Sequence, residues 1–443
     1  MMRNRSVELE DVSHHLQRVS DCARNIVGDV PQHEHAGDIA NSKSKIIKAK
    51  IVKKATKIVE KPATIISGAL RGILSPVTAL LPKPVSLART VSRVRVRANP
   101  EEIMNPTTRG ELILSESLKH THNGELFLIH DSEGGKKRFL MFSTKKNLNY
   151  LTTCSQWLAD GTFRVVPEIF SQLYTLHGFK NDKCLPLVHI LASNKSKHTY
   201  CSFLRVLKKC LPNFSPARIM VDFEIGFIES FKEISSSTKI SGCNFHFSQS
   251  VWRRIQSSGL QSKYNTDLEF ALNMRLLLAL AFVPADDVIS AYEEAVSSDY
   301  FDRHSDILDE LLTSFEMSWI GKLRHNKKRR KKPLFDLKLW NCYLAVLDDQ
   351  LRSNNPVEGW HHGFNNRVEV SHASISRFIN CLKDEQVNTE LLITQMNSGL
   401  NVAPRARQAY RDYNSRLKLV VSNYDRNNKL LYLNNIAKIL RMS

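Results

Sequence analysis

Three carboxylates from distant segments stand where metal-dependent phosphodiester chemistry would need them. Asp160 lies in Trp157-Leu158-Ala159-Asp160-Gly161-Thr162-Phe163, Asp222 ends the run Ile219-Met220-Val221, and Glu358 follows Asn354-Asn355-Pro356-Val357. The first two close apolar runs that read as strands, and the third sits at the front of a helix. Carboxylates gathered in this way can hold two divalent cations, which activate a water or hydroxyl and steady the leaving oxygen of a phosphodiester. Glu224 shares the face of Asp222 if the strand continues, which makes it a reserve ligand.

Each residue also has a plainer reading. Asp160-Gly161 is a turn-forming pair, and a buried aspartate needs a positive partner. Asn355-Pro356-Val357-Glu358 has the spacing of a capping box with proline in its favoured first position, so Glu358 could cap, or cap and face a site at once. Cys243 and His246 stand at C-x-x-H spacing with no second ligand pair nearby, which by itself favours a buried thiol and a hydrogen-bonded histidine over zinc. Cys22, His33 and His35 form part of a zinc-finger ligand set, to which His14 and His15 could contribute. No cysteine precedes Cys22, which favours a metal-free remnant. The six consecutive cations Lys327, Lys328, Arg329, Arg330, Lys331 and Lys332 fit a nuclear import signal or a phosphate-contacting loop, against a solvated turn.

The totals narrow the class. The chain has 443 residues, 42 % of them hydrophobic, which suffices for two or three domains and a substantial core. Lysine and arginine number 63 against 44 acidic residues, a net charge of +19 that predicts attraction to a polyanion, DNA above all. The 8 cysteines are scattered through a long chain without a signal peptide, so no disulfide framework is expected. No apolar run approaches the roughly 20 residues of a membrane span, and the chain reads as soluble and intracellular.

The elements that must position the carboxylates follow from periodicity. Lysines between Lys43 and Lys61 interleave with isoleucine and valine, predicting a basic helix with an apolar face, either a solvated helix and linker or a DNA-contacting arm. Pro62, Pro76, Pro82 and Pro84 break any long helix there, and Asn99-Pro100 marks a joint. A hairpin is predicted over 126–130 and 137–142, with strands over 157–163, 172–178, 184–192, 217–222 and 238–245. Helices are predicted over 197–211 and 225–234, with a helical region from 247 to about 320 and again after 356. This alternation describes an α/β fold, a mixed sheet with helices packed on it.

Taken together these residues resemble the transposase domain of Mutator-like elements, the MULE superfamily. The matching stretches are Trp157 to Phe163 (W-x-x-D-G-T-F), Gln172 to His177, Pro186-Leu187-Val188, Val221 to Glu224, Gly242 to Phe247, Ala279 to Pro284 and Asn354 to His361. They fall in order across about two-thirds of the chain, and the ordered set is more specific than any piece. The resemblance implies an RNase H-like mixed sheet with flanking helices and an all-helical insertion before the third acidic residue. It implies a DDE mechanism in which Asp160, Asp222 and Glu358 bind two magnesium ions, with manganese as a substitute. Cys243 and His246 match the C-x-x-H element that the superfamily carries after its second aspartate. Cys22, His33 and His35 resemble the tail of a FLYWCH zinc finger whose first cysteine is missing here.

The expected organisation is a finger remnant over 1–42, a basic helical and linker segment over 43–110, and the first part of the core over 111–250. A helical insertion with a basic loop over 251–352, a helix completing the site over 353–400 and a basic helical tail over 401–443 follow. The expected activity is DNA binding with strand cleavage and transfer, by a homo-oligomer in the nucleus and without a membrane. The alternative is a domesticated, non-catalytic DNA-binding or regulatory protein that kept the fold.

Overall fold

The computed structural model of the protein describes residues 38–57, 62–98, 106–211, 214–324, 329–403 and 408–442. They form two compact units that divide between Pro100 and Glu101, beside the Asn99-Pro100 joint. No helix of the described residues is long and apolar enough to cross a membrane.

In the first unit, α1 (Ile39–Lys57), α2 (Pro62–Leu70) and α3 (Pro84–Ala98) pack on one another, with a short helical turn at Ser75–Thr78 between the last two. Ile47, Ile51 and Ala55 recur every four residues along α1 and meet Ile65, Ile66, Val77, Leu87 and Val91 in a small core. Lys43, Lys45, Lys50, Lys53 and Lys54 stay exposed. Pro62 and Pro84 occupy first helical positions, where the missing N–H has no helical partner to lose. The prolines therefore punctuate a bundle, and the basic helix has a core of its own where a solvated helix and linker was one expectation.

The second unit is built on a seven-stranded mixed sheet. Its strands are β1 (Leu128–Asp131), β2 (Leu140–Phe142), β3 (Gln156–Thr162), β4 (Gln172–Lys180), β5 (Lys183–Ala192), β6 (Arg218–Val221) and β7 (Lys239–Gly242). Their order across the sheet is β1-β2-β5-β4-β3-β6-β7. The pairs from β1 to β3 are antiparallel, whereas β3–β6 and β6–β7 are parallel. Asn181 and Asp182, both at positive φ, make the two-residue turn between β4 and β5, the backbone shape that matches the twist of a tight hairpin. After α4 (Lys145–Thr152), the crossovers that parallel pairing requires are α5 (Lys197–Cys210) and α6 (Ile225–Ile234).

Both faces of the central strands are covered, which is why they read as continuous apolar runs. On one face Tyr174, Tyr200, Phe203 and Phe227 form an aromatic cluster, with the Tyr174 and Phe227 centroids 4.7 Å apart. β7 is shorter than predicted: it ends at Gly242, and α7 (Asn244–Ser257) begins within the stretch expected to be extended. The helical region continues through α8 (Leu268–Ala279), α9 (Val288–Val296) and α10 (Ser305–Phe315). After further short helices come α11 (Asn355–Val368), α12 (Ile375–Asn397), α13 (Gln408–Ser422) and α14 (Lys429–Ile439). On the second face Phe364 of α11 and Phe378 of α12 pack with Leu173 and Leu191. The C-terminal helices are docked on the helical region: Tyr432 donates to the Phe282 carbonyl at 2.5 Å, and Arg426 pairs with Asp287.

Phe227 is fully buried and touches three other rings of the cluster, so Phe227→Ala should cost about 3–5 kcal/mol in the unfolding of this unit. Urea denaturation of wild type and variant measures it; a loss below about 1 kcal/mol would contradict this packing.

Candidate metal centre

The parallel register of β3 and β6 runs Gln156↔Arg218, Trp157↔Ile219, Leu158↔Met220. Carried on by two residues, it sets Asp160, inside β3, beside Asp222, the residue that follows β6. Side chains alternate along a strand, so Asp160 shares a face with Leu158, and Asp222 follows Met220 in the same phase. Leu158 and Met220 pack against Val357 in the first turn of α11, and the next residue is Glu358. An apolar trio thus positions an acidic one. Asp160, His246 and Glu358 offer ligand atoms that all lie within 4.8 Å of one another. Asp222 lies outside that group but close enough for its charge to oppose ionisation of Asp160.

Hydrogen bonds orient these groups. One Asp160 oxygen accepts from the Gly161 N–H at 2.8 Å and the other from Asn354 Nδ2 at 3.0 Å. Asp222 accepts from the Glu224 N–H at 3.3 Å, and Glu224 accepts from the Tyr200 hydroxyl at 2.6 Å. Behind Asp160, the buried Thr175 hydroxyl donates to its backbone carbonyl and lies 3.1 Å from His361 Nε2 and 3.0 Å from His177 Nε2. Gly161 sits in a tight place: a Cβ would lie 3.0 Å from Gln172 Oε1 and 3.2 Å from the Tyr174 ring.

The electrostatics are those of crowded, desolvated anions. Burial, then the charge of Asp222, raises the Asp160 carboxyl well above the usual carboxylate range. Burial and Glu224 push Asp222 up to about 6, and burial raises Glu224 and Glu358 as well. Among the described residues no lysine or arginine forms an ion pair with any of the four. Burial, with Arg253 nearby, lowers His246 to about 4, and burial alone lowers His361 to about 4. The 3.4 Å approach of His246 Nε2 to Glu358 and the 3.8 Å approach of His361 Nδ1 to Asp160 therefore involve neutral rings. Hard carboxylate oxygens with one imidazole fit a magnesium- or manganese-type cation in donor chemistry.

Several expectations change in detail. The capping box does not form: Asn354 is the N-cap residue, one earlier than predicted, and Glu358 makes no cap bond. The Asn354 side chain is drawn instead to Asp160 and to Cys243, whose thiol lies 2.9 Å from Asn354 Oδ1. Cys243 and His246 part company because α7 starts between them; the thiol, pushed up to about 12 by burial, faces Asn354, and the imidazole faces Glu358. The importance of Asn354 and His361 escaped the sequence reading, although both lie in the Asn354 to His361 stretch.

Of the basic run, Arg329, Lys331 and Lys332 are exposed at the base of a hairpin closed by the Leu323–Arg330 bridge. Gly321 begins it at φ +94°, where a Cβ would strike the Lys331 carbonyl. Arg330 is turned inward, its side chain 10 % exposed, and pairs with Glu293 at 3.0 Å and Glu316 at 2.8 Å, which removes it from phosphate binding. Lys327 and Lys328 lie outside the described residues, as do Cys22, His33 and His35.

A carboxyl whose folded-state pKa is raised contributes stability below its unfolded value, and that contribution is lost as pH rises through the folded value. In EDTA the Asp222 contribution to the melting temperature should therefore fall from about pH 4 to about pH 6 and level off above it. Asp222→Asn should flatten the fall, and so should magnesium, by binding the ionised form. Thermal melts across that range are the check; a wild-type curve that EDTA, magnesium and Asp222→Asn all leave unchanged would contradict the electrostatics.

No family model matches the chain and no curated protein matches it. Among solved structures it is similar to one titled "Drosophila P element transposase strand transfer complex", at 11 % identity and a TM-score of 0.23, covering 98 % of each chain. A likeness at that score carries no argument about fold or function.

Proposed function

We propose that the protein cleaves and transfers DNA strands as a MULE-type DDE transposase, or is a host protein derived from one, with Asp160, Asp222 and Glu358 as its acidic set. The observation that carries this reading is the β3–β6 register, which sets Asp160 of β3 beside Asp222 just after β6, while the front of α11 brings Glu358 to Asp160. An RNase H-like core is part of the proposal. It is supported by the order β5-β4-β3-β6-β7, in which three antiparallel strands lead through helical crossovers to two parallel ones. The net charge of +19 supports DNA as the substrate.

When bound, two magnesium ions would supply Lewis acidity at the attacking and leaving oxygens of an in-line phosphoryl transfer. Asp160 and Asp222 are held on rigid strands and would be their fixed ligands. Glu358, less buried and at a helix front, would close the remaining side. Asn354 orients the Asp160 carboxylate, and neutral His246 adds a nitrogen ligand or an orienting contact without adding charge. Exposed Lys195, its ammonium 3.8 Å over the Phe163 ring and electrostatically coupled to Asp222, would attract a phosphate to the rim. A homo-oligomeric active form belongs to the same reading through the family resemblance, and a nuclear location through that resemblance together with the six-cation run at 327–332.

The second reading, DNA binding without cleavage, is favoured by the first unit, a basic helical bundle that needs no carboxylate to hold a phosphate backbone.

Nicking of supercoiled plasmid separates the two. Wild type should nick in magnesium and not in EDTA. Asp160→Asn, Asp222→Asn and Glu358→Gln should each lose about 100-fold or more while DNA affinity stays within about twofold. Wild type that binds DNA but cuts in neither magnesium nor manganese would establish the second reading. Independently, replacing Arg329, Lys331 and Lys332 with alanine should reduce the slope of log affinity against log salt by up to about 3. An unchanged slope would make the hairpin a solvated turn.

A further inference from the structure

A pocket of about 150 Å³ opens at Phe245 and Ser353, each one residue before a side chain of the candidate metal centre. Its walls are the front of α7, the segment leading into α11, and one face of α13. The first two walls also build the candidate metal centre. Phe245 lines the pocket and precedes His246, while Ser353 lines it and precedes Asn354, which bonds Asp160. The Asn244 N–H donates to the Arg352 carbonyl at 2.8 Å and ties the two walls together. Pocket and carboxylates are therefore two sides of the same pair of turns.

The lining specifies what could enter. Phe245, Tyr410 and Tyr413 offer ring faces, the two tyrosines stacked with centroids 6.5 Å apart and planes 25° apart. Ser248 is only 7 % exposed, yet its Oγ has no hydrogen-bond partner in the protein, an exception that a polar ligand edge would resolve. Arg352 donates to Asn414 Oδ1 at 2.5 Å, and a guanidinium has further N–H groups for a phosphate. Stacking faces, a buried polar atom and a cation together describe a nucleotide. The volume is of the order that holds one aromatic ring, about 150 Å³, so it admits a single base and no base pair.

We propose that this pocket receives one nucleobase of a DNA strand, drawn out of the duplex next to the phosphodiester at the carboxylates. The proposal rests on the DNA-cleaving reading above. It follows from position: a strand whose phosphate sits at Asp160 and Glu358 passes the shared turns, and the neighbouring base can leave the stack for the aromatic walls. The lost base stacking is replaced by stacking on Phe245 and the tyrosines, and the edge finds Ser248.

The test measures affinity of the full chain, by fluorescence anisotropy in calcium, for nicked duplexes carrying one abasic nucleotide at each of the positions flanking the nick. At one position the missing base should weaken wild-type binding about tenfold, and a mismatch opposite that position should tighten it. In Tyr413→Ala the abasic penalty should shrink to below about twofold; Tyr410→Ala, at a residue 49 % exposed, should shrink it in the same sense without threatening the fold. Indifference to abasic substitution at every position, or an equal penalty in wild type and both variants, would overturn the proposal. Tyr413-dependent binding of free deoxynucleoside monophosphates, with no abasic effect, would assign the pocket to a free nucleotide instead. If plasmid nicking persists while abasic effects are missing, only this inference fails; if the protein binds no DNA, the functional reading fails with it.

Discussion

Like charges gathered in a desolvated space repel, and the second unit is arranged so that its fold tolerates that repulsion. Two unit charges about 5 Å apart at an effective dielectric near 20 oppose each other by roughly 3 kcal/mol. A hydrogen bond returns about 1 kcal/mol, so Asn354 alone cannot hold Asp160 in place against its neighbours. The offset comes from packing. Leu158 and Met220 are buried two residues before Asp160 and Asp222, and Val357 one before Glu358, and the parallel pairing of β3 with β6 buries the first two side by side. On the opposite face the aromatic cluster of Tyr174, Tyr200, Phe203 and Phe227 clamps the crossover helices against the same strands. What remains uncompensated is charge, which the raised carboxyls record and which divalent cations would supply.

Neutral polar groups make the close contacts to Asp160 and Glu358, while exposed Lys195 acts on Asp222 and Glu224 from the rim. An arginine in place of His246 or His361 would stabilise the carboxylates and exclude a metal. Neutral imidazoles and an amide orient them and leave their charge in play. The contrast with Arg330 is instructive: there two glutamates hold a guanidinium nearly buried, and the result is a closed structural contact. Nearness of the carboxylates to a pocket lined by aromatic rings then follows from two turns that serve both, one before α7 and one before α11.

Much of this was legible in the chain because the central strands are apolar on both faces and carry single acids after apolar runs. The places of Asp160 inside β3 and of Asp222 just after β6 needed only that pattern and the parallel pairing. The illegible parts share a cause: they depend on contacts between segments far apart in sequence. Asn355 looked like the cap because the box spacing is local, whereas Asn354 takes that place with its side chain committed to Asp160, 194 residues away. The spacing of Cys243 and His246 favoured a buried thiol and a hydrogen-bonded histidine, but the start of α7 between them, which turns one to Asn354 and the other to Glu358, was not visible in it. The Asn181-Asp182 turn was readable from composition alone and went unread. In the first unit the prolines interrupt the helical run, and Pro62 and Pro84 also open the helices that follow, since proline is favourable at the first helical position.

Manganese binding followed by electron paramagnetic resonance tests, without any DNA substrate, whether three distant segments make one cation site. Two ions should bind per chain, close enough to couple magnetically. At most one should bind in Asp160→Asn, Asp222→Asn or Glu358→Gln, each folded by circular dichroism. Wild type that binds no manganese, or variants that bind as much as wild type, would contradict a shared site.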